Sequence, residues 1–237
     1  KTRSTVDGFP VKLFINGKSM GLYMFNIDRY AENNYGFVGE QSIVSYEIGV
    51  NSVSGAGAFA DDSWASIRSE FEYRYHYAGD ESVVCESINV DGKPTTVLRA
   101  GYHSELQNLV SWVKNSTIEE FRSELDEHFD LNFLIDYYLW VITLGLVDNL
   151  GKNSVWTTFG MNAQGNVIWY PSFYDCDSEL GLTNDGELRY GSGIDVTTDN
   201  FNTSDSYLWT KLNTAFAEEV QTRYINLRAN GHISYET

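Results

Sequence analysis

The residues best suited to chemistry in this 237-residue chain are acids and an amide on either side of one short segment. Asp148 and Asn153 follow a long apolar run, with four residues between them, and Asp175 and Asp177 form an Asp-Cys-Asp motif further along. Asp and Asn supply the hard oxygen ligands with which proteins bind Mg²⁺ or Mn²⁺ beside phosphate groups. In phosphoryl transfer, one Asp orients the attacking hydroxyl while an Asn and a second Asp hold the metal. These residue types in this order therefore indicate a kinase-like site.

A predicted β-hairpin between the two motifs would bring them together. Residues 154–160 and 166–173 are β-type runs, and the turn residues 161–165 join them. A hairpin returns the chain to its own start, so the Asp-Cys-Asp motif can approach Asp148 and Asn153. The alternative is that Asp148 only ends a helix and that the Asp-Cys-Asp motif is a solvated turn.

Hydrophobic periodicity changes near residue 100, from a β-rich part to a helical part. Residues 11–15 and 21–27 are β-rich runs on either side of an Asn-Gly pair, which is a strong hairpin signal. Residues 42–50 and 70–77 have the composition and alternation of two more strands. The N-terminal part is therefore predicted to be mainly β-structure.

Beyond residue 100 the apolar residues recur at helical spacing. One predicted helical face is formed by Leu106, Leu109, Val110 and Val113. Ser116 and Glu119 predict a capping box for the next helix, and Asp130 predicts the N-cap of a long helix after it. Residues 208–228 predict a final helix.

Composition and charge argue against a nucleic-acid-binding protein and against a membrane-spanning helix. The chain has 33 acidic and 16 basic residues, a net charge of −17, so it lacks the clustered cations that nucleic-acid binding requires. Residues 131–147 are apolar but include Asn132 and Asp136, and they are short for a membrane span. We therefore expect a buried central helix there and no nucleic-acid partner.

The cysteines and the ends of the sequence carry two further expectations. Cys85 and Cys176 are far apart and have no metal-ligand spacing, so free thiols are predicted, with a single disulfide as the alternative. The sequence starts and stops abruptly, which predicts one domain excised from a longer protein.

Three segments resemble the CotH family of spore-coat-type atypical protein kinases. They are residues 11–25 (VKLFINGKSMGLYMF), residues 147–159 (VDNLGKNSVWTTF) and residues 169–181 (WYPSFYDCDSELG). Their order and rough spacing are similar to those of the family. The second and third segments, taken as a pair, are the most specific part of the resemblance.

The resemblance implies an α+β, two-lobed, reduced protein-kinase-like fold. Residues 1–100 would form a β-rich N-lobe-like part, and residues 101–237 a helical C-lobe-like part that carries the metal-site hairpin. The implied reaction is transfer of phosphate from ATP, bound with Mg²⁺ or Mn²⁺, to a Ser or Thr of a protein substrate.

Residue roles follow from the resemblance. Asp148 would be the catalytic acid or base, and the metal ligands would be Asn153, Asp175 and Asp177. The nucleotide would be covered by the hairpin turn that contains Asn16, Gly17 and Gly21, where glycine lets a backbone approach phosphates closely. Lys152 is a candidate phosphate contact. The alternatives are an ordinary surface turn for the hairpin and a solvated side chain for Lys152.

Two positions depart from the family pattern. Ile27 stands where members have an acid, and Glu47 stands where members have a lysine that would hold phosphates. A glutamate at that place is expected to repel a triphosphate. Lys12, Lys18 or Arg29 could substitute for the lysine. A catalytically weak or inactive kinase-like domain is therefore the rival interpretation.

The sequence also resembles CotH-like domains embedded in bacteriophage tail proteins. That likeness implies a structural or host-surface role in a virion or bacterial surface assembly, with virion structural proteins as partners. Residues 183–206 form a polar loop that ends next to Tyr207 and Trp209. Aromatic and amide groups of this kind predict a contact with host-surface glycan, and the alternative is that they are ordinary loop anchors.

Overall fold

The computed structural model confirms a mixed α+β fold, with strands mostly in the N-terminal half and helices mostly in the C-terminal half. It describes residues 8–26, 42–48, 59, 63–146, 149–176 and 206–233. The strands are β1 Gly8–Ile15, β2 Lys18–Asn26, β3 Val44–Ile48, β4 Phe71–His76, β5 Cys85–Val90, β6 Lys93–Leu98, β7 Ser154–Met161 and β8 Val167–Phe173. The helices are α1 Trp64–Glu70, α2 Glu81–Val84, α3 Ser104–Asn115, α4 Ile118–Glu124, α5 Leu131–Leu144, α6 Tyr207–Ala215 and α7 Ala217–Ala229, with a 3-10 turn at Leu125–Glu127. The two-lobed, kinase-like arrangement stays a prediction.

An antiparallel sheet of four strands, in the order β4-β3-β7-β8, lies at the centre of the described structure. All five residues of β3 are buried. Tyr46 of β3 pairs with Trp156 of β7, and Ile48 pairs with Ser154. The sheet thus joins strands from both sides of residue 100, because β3 and β4 precede that position and β7 and β8 follow it.

Most locally encoded elements are confirmed. The four predicted apolar positions of α3 are all buried. The Asp130 carboxylate accepts a hydrogen bond of 3.0 Å from the Phe133 backbone N–H and caps α5. Gly145, in the left-handed region with φ 66°, ends the same helix. The predicted hairpin before the Asp-Cys-Asp motif is β7–β8.

The predicted capping box is wrong by one residue. Thr117, not Ser116, caps α4: its hydroxyl accepts from the Glu120 N–H at 3.1 Å. The Glu120 carboxylate in turn accepts from the Thr117 N–H at 2.8 Å. Ser116 is still bonded to the preceding helix, because its N–H donates to the Trp112 carbonyl at the end of α3.

The predicted final helix is interrupted. Phe216 has a non-helical backbone and separates α6 from α7. Its side chain is buried, and its ring packs edge-on against Phe121 of α4 at 6.3 Å. The apolar pattern predicted one continuous helix. The break is associated with a contact between Phe216 and α4, and a helical pattern does not show a contact with a helix so distant in the chain.

Trp209 corrects the expectation of a sugar-contacting aromatic pair. Its side chain is fully buried, and its indole N–H donates to the Leu150 carbonyl at 2.8 Å. Its ring stacks on Tyr137 of α5 at 5.9 Å. Trp209 is therefore a core residue, whereas Tyr207 is exposed. Residues 183–205 lie outside the described residues.

The described helices include none that is both long and apolar enough to cross a membrane. The predicted central helix, α5, has 14 residues and not 17. Cys85 and Cys176 are both free thiols, as predicted.

A buried polar cluster links the sheet to α3. The Tyr46 hydroxyl donates to His103 Nδ1 at 2.8 Å, and His103 Nε2–H donates to the Val84 carbonyl at 2.8 Å. The His76 ring packs edge-on against His103 at 5.1 Å. Burial lowers the pKa of His103 to about 4, although its hydrogen bond with Val84 opposes the shift. Burial also lowers the pKa of His76.

We expect His103 to make the protein less stable in mild acid. The unfolded side chain takes up a proton near pH 6.5, whereas the folded one stays neutral down to about pH 4. The free energy of unfolding is therefore at its full value above about pH 6.5 and falls by about 3 kcal/mol as the pH drops to about 4. Urea unfolding between pH 4 and 7 measures this loss.

His103→Gln should remove the part of the pH dependence that comes from His103, because Gln can make similar hydrogen bonds but does not titrate, and the part that comes from His76 should remain. His232→Gln, at an exposed position, should keep the wild-type slope. Equal slopes in wild type and His103→Gln would contradict the assignment.

Candidate functional site

The loop between α5 and β7 is anchored to the core by two buried aromatic side chains. The Tyr137 hydroxyl donates to the Asn149 carbonyl at 2.7 Å. Trp209 donates to the next carbonyl, that of Leu150. Since both donor side chains are buried, these two bonds hold the backbone at Asn149 and Leu150 against the core. Asp148, the predicted catalytic residue, lies outside the described residues.

The Asn149 side chain joins the start of β7 to the end of β8. It is 2% exposed, and its amide Nδ2 donates to the carbonyl of Asn153 at 2.8 Å and to that of Tyr174 at 2.9 Å. The Tyr174 N–H also donates to the Asn153 carbonyl at 3.3 Å. Asp175 follows Tyr174 directly, so two of the predicted metal ligands belong to backbone segments that meet here. Asp177 lies outside the described residues.

Both of these predicted ligands have a left-handed backbone. Asn153 and Asp175 each have φ 53°. This conformation is uncommon for residues other than glycine and costs on the order of 1 kcal/mol, although Asn and Asp tolerate it best. Such strain is characteristic of functional sites, where the surrounding structure holds it in place.

The donor chemistry suits a hard divalent cation. Asn153 is half-buried and Asp175 is exposed, and they offer an amide oxygen and a carboxylate. In the described part of the chain, no three His, Cys, Asp or Glu side chains cluster as a metal site. Asp148 and Asp177 are not among those residues, so the metal-binding roles stay predictions. Lys152 is half-buried in the same loop, and its role as a phosphate contact stays a prediction too.

The predicted nucleotide-covering hairpin is present as β1–β2. Asn16 and Gly17, at φ 52° and 78°, form its two-residue turn, and Gly21, at φ 105°, lies opposite Leu13 beside a β-bulge. A Cβ atom added at Gly17 or Gly21 would meet no atom of the described residues within 4 Å. The two strands pack mainly against each other, and no described contact places them beside Asn153. The covering role of this hairpin therefore stays a prediction.

Glu47, which departs from the family pattern, is buried in an ion pair. It is 3% exposed, and its carboxylate accepts from Arg74 Nε on the neighbouring strand at 2.8 Å. Arg74 also donates to Glu72 at 2.9 Å and to the Tyr73 carbonyl at 2.8 Å. Glu47 is therefore not a bare negative charge, because its neighbour on β4 supplies the cation. Ile27, the other departure, lies outside the described residues.

Sequence reasoning missed both Asn149 and Arg74. The signal for Asn149 was weak: a second polar residue at the end of an apolar run. Arg74 had no signal, because it alternates with aromatic residues in a strand and its partner is 27 positions away. Both residues act through contacts that a single sequence does not display.

The family described as CotH kinase protein matches residues 4–230, which is nearly the whole chain. No curated protein matches the chain significantly.

The left-handed backbone at Asp175 predicts a difference between two substitutions. Asp175→Gly should be more stable than Asp175→Ala by about 1 kcal/mol, because Gly adopts positive φ without strain and Ala does not. Urea unfolding of both variants measures the difference. If Asp175→Ala were the more stable of the two, the assignment of a left-handed backbone to Asp175 would be wrong.

The buried ion pair predicts strong coupling between Glu47 and Arg74. Arg74→Met should lower the free energy of unfolding by about 3–5 kcal/mol, because it leaves a buried carboxylate uncompensated. The double variant Glu47→Leu with Arg74→Met should recover most of that loss, since it removes both charges. Urea unfolding of the two variants tests this, and a double variant as unstable as Arg74→Met would contradict it.

Proposed function

Because the chain belongs to the CotH kinase family, we propose that it is an atypical protein kinase that binds Mg-ATP and phosphorylates protein Ser or Thr. The observation that supports this best is the meeting of Asn153 and Asp175 where β7 begins and β8 ends. The Tyr174 N–H bonded to the Asn153 carbonyl, and the Asn149 amide bonded to both segments, hold that junction.

In this proposal Asn153 and Asp175, with Asp177, hold Mg²⁺ or Mn²⁺ through oxygen atoms. The bound metal would neutralise charge on the ATP phosphates. The protein positions the ligands: Asn153 and Asp175 have left-handed backbones, so their side chains depart from the alternating directions of the adjoining strands. Such preorganisation matters in phosphoryl transfer, where most of the catalysis is placement and charge neutralisation.

Asp148 is proposed as the residue that orients the substrate hydroxyl and accepts its proton. The Ser or Thr oxygen forms a bond to the γ-phosphorus while the bond from that phosphorus to the bridging oxygen of ADP breaks. Asp148 directly precedes Asn149, whose carbonyl is held by Tyr137. The acid is therefore attached to a loop that the core anchors.

Phosphate binding in this proposal needs help from the hairpin and from Lys152. The open space around Gly17 and Gly21 leaves their backbone accessible to phosphate oxygens. The net charge of −17 opposes binding of a triphosphate, so the metal and a cation, either Lys152 or a lysine of the hairpin such as Lys12 or Lys18, must offset it.

A catalytically weak or inactive kinase-like domain is the alternative, and the Glu47–Arg74 pair is the observation that favours it. Glu47 takes the place at which the family resemblance implies a phosphate-holding lysine. The Arg74 cation already bonds Glu47, Glu72 and the Tyr73 carbonyl, which leaves little of it for a phosphate. Such a domain would serve as a structural or host-surface module of a phage tail protein, in keeping with its resemblance to embedded copies.

Nucleotide binding separates the two proposals. Millimolar Mg-ATP should raise the melting temperature of the wild type, because a ligand at a hundredfold excess over its dissociation constant stabilises the native state by about 2.7 kcal/mol. Asp175→Ala should abolish the ligand-induced rise, and Asp126→Ala, at an exposed acid of the 3-10 turn, should keep it. Thermal unfolding with and without Mg-ATP measures both.

Phosphate transfer is tested separately from Mg-ATP binding. Asp148→Asn should keep the Mg-ATP-induced rise but lower phosphate transfer to protein by about 10²–10⁴-fold, because only the proton acceptor is removed. Transfer is measured with radiolabelled ATP. No rise in the wild type would reject the kinase proposal in favour of the structural module.

A further inference from the structure

We propose that Asn149 is a positioning residue that sets the geometry of the metal-binding pair Asn153 and Asp175. This inference rests on the proposed metal site. It adds a residue that contacts neither metal nor substrate but decides how the two ligands face each other.

The carboxamide of Asn149 makes the connection with one nitrogen. Its two Nδ2 hydrogen bonds to oxygen end on backbone carbonyls, one belonging to Asn153 itself and one to Tyr174, the residue before Asp175, and a longer contact of 3.9 Å reaches the Cys176 sulfur. The side chain is buried, so water does not compete for these acceptors. One rigid planar group therefore bridges the backbones of both predicted ligands.

The sheet fixes these backbones only in part. The Asn153 N–H donates to the Ile48 carbonyl of β3 at 3.0 Å. The β7–β8 ladder ends at Ser154 paired with Phe173, before either predicted ligand is reached. Beyond it, the Tyr174 N–H reaches the Asn153 carbonyl at 3.3 Å, longer than either bond from Asn149. Both chains then turn with a left-handed residue. The Asn149 amide adds the two shorter bonds that tie the directions of these turns to each other.

Ligand geometry of this kind determines metal affinity. Metal sites require their donors within about 0.5 Å of the productive position, and outer residues that orient the ligands typically change affinity about 10–100-fold when mutated. Asn149→Ala should therefore weaken metal binding by about 10–100-fold while both ligand side chains remain in the chain.

Tyr137 provides the matched structural control. Its hydroxyl donates to the Asn149 carbonyl, so Tyr137→Phe perturbs the backbone of the same residue but leaves both amide hydrogen bonds in place. A general loosening of the loop would affect both variants alike. Loss of the bridge between Asn153 and Asp175 would affect only the Asn149 variant.

The experiment is a MnCl₂ titration followed by water-proton relaxation, on wild type, Asn149→Ala, Tyr137→Phe and Asp175→Ala. Far-UV circular dichroism confirms that each variant is folded, and Asn149→Ser, which retains a small polar side chain, replaces Asn149→Ala if that variant is not. We expect Tyr137→Phe to bind Mn²⁺ like wild type, Asn149→Ala to bind about 10–100-fold more weakly, and Asp175→Ala to lose the site.

The contrary outcomes are distinct. If Asp175→Ala loses Mn²⁺ but Asn149→Ala binds it as wild type does, Asn149 is only structural and the proposed site stands. The same conclusion holds if Tyr137→Phe weakens binding as much as Asn149→Ala. If wild type shows no Mn²⁺ binding that depends on Asp175, the proposed metal site and the role of Asn149 both fail.

Discussion

The pairing of β3 with β7 is the interaction on which the rest of the structure depends. It places a fully buried strand from the first quarter of the chain beside the hairpin that carries the predicted metal ligands. The pairing continues to the site itself, because the Asn153 N–H donates to the Ile48 carbonyl at 3.0 Å. One edge of β3 thus meets Asn153, the first of the predicted metal ligands, and its other edge pairs with β4, which carries Arg74. A shift of one residue in this register would turn every side chain of the strand to the other face of the sheet.

Buried polar groups make that arrangement specific. Glu47, His103 and Asn149 each form hydrogen bonds with residues of other elements of the fold. If the elements packed differently, these buried polar groups would lose their partners, which costs free energy of folding. Lys211 follows the same rule at the end of α3, where its ammonium donates to the carbonyls of Val113 at 2.6 Å and Lys114 at 2.9 Å. A cation is favoured there, because the last carbonyls of a helix carry partial negative charge. Alternative packings of the same apolar residues would leave these groups without partners.

The site combines a rigid support with strained ends. Tyr137 and Trp209 hold the loop from below, and the Asn149 amide ties it to the end of β8. The backbone strain is found at Asn153 and Asp175, the residues that project from this support. Strain of this kind persists only where the surrounding contacts determine the conformation, which is the role proposed for the Asn149 amide.

The sequence by itself determined the elements that depend on neighbouring residues. The apolar face of α3, the Asp130 cap and the β7–β8 hairpin follow from periodicity and turn chemistry, which act over a few positions. The approach of the Asp175 segment to Asn153 follows in turn, because a hairpin must return to its start. Tertiary structure decided the rest: the cation beside Glu47, the bridge from Asn149, the burial of Trp209 and the break at Phe216. Each of these contacts joins residues that lie far apart in the chain or in different elements. Such contacts produce no periodic pattern in the sequence, so a single sequence does not predict them.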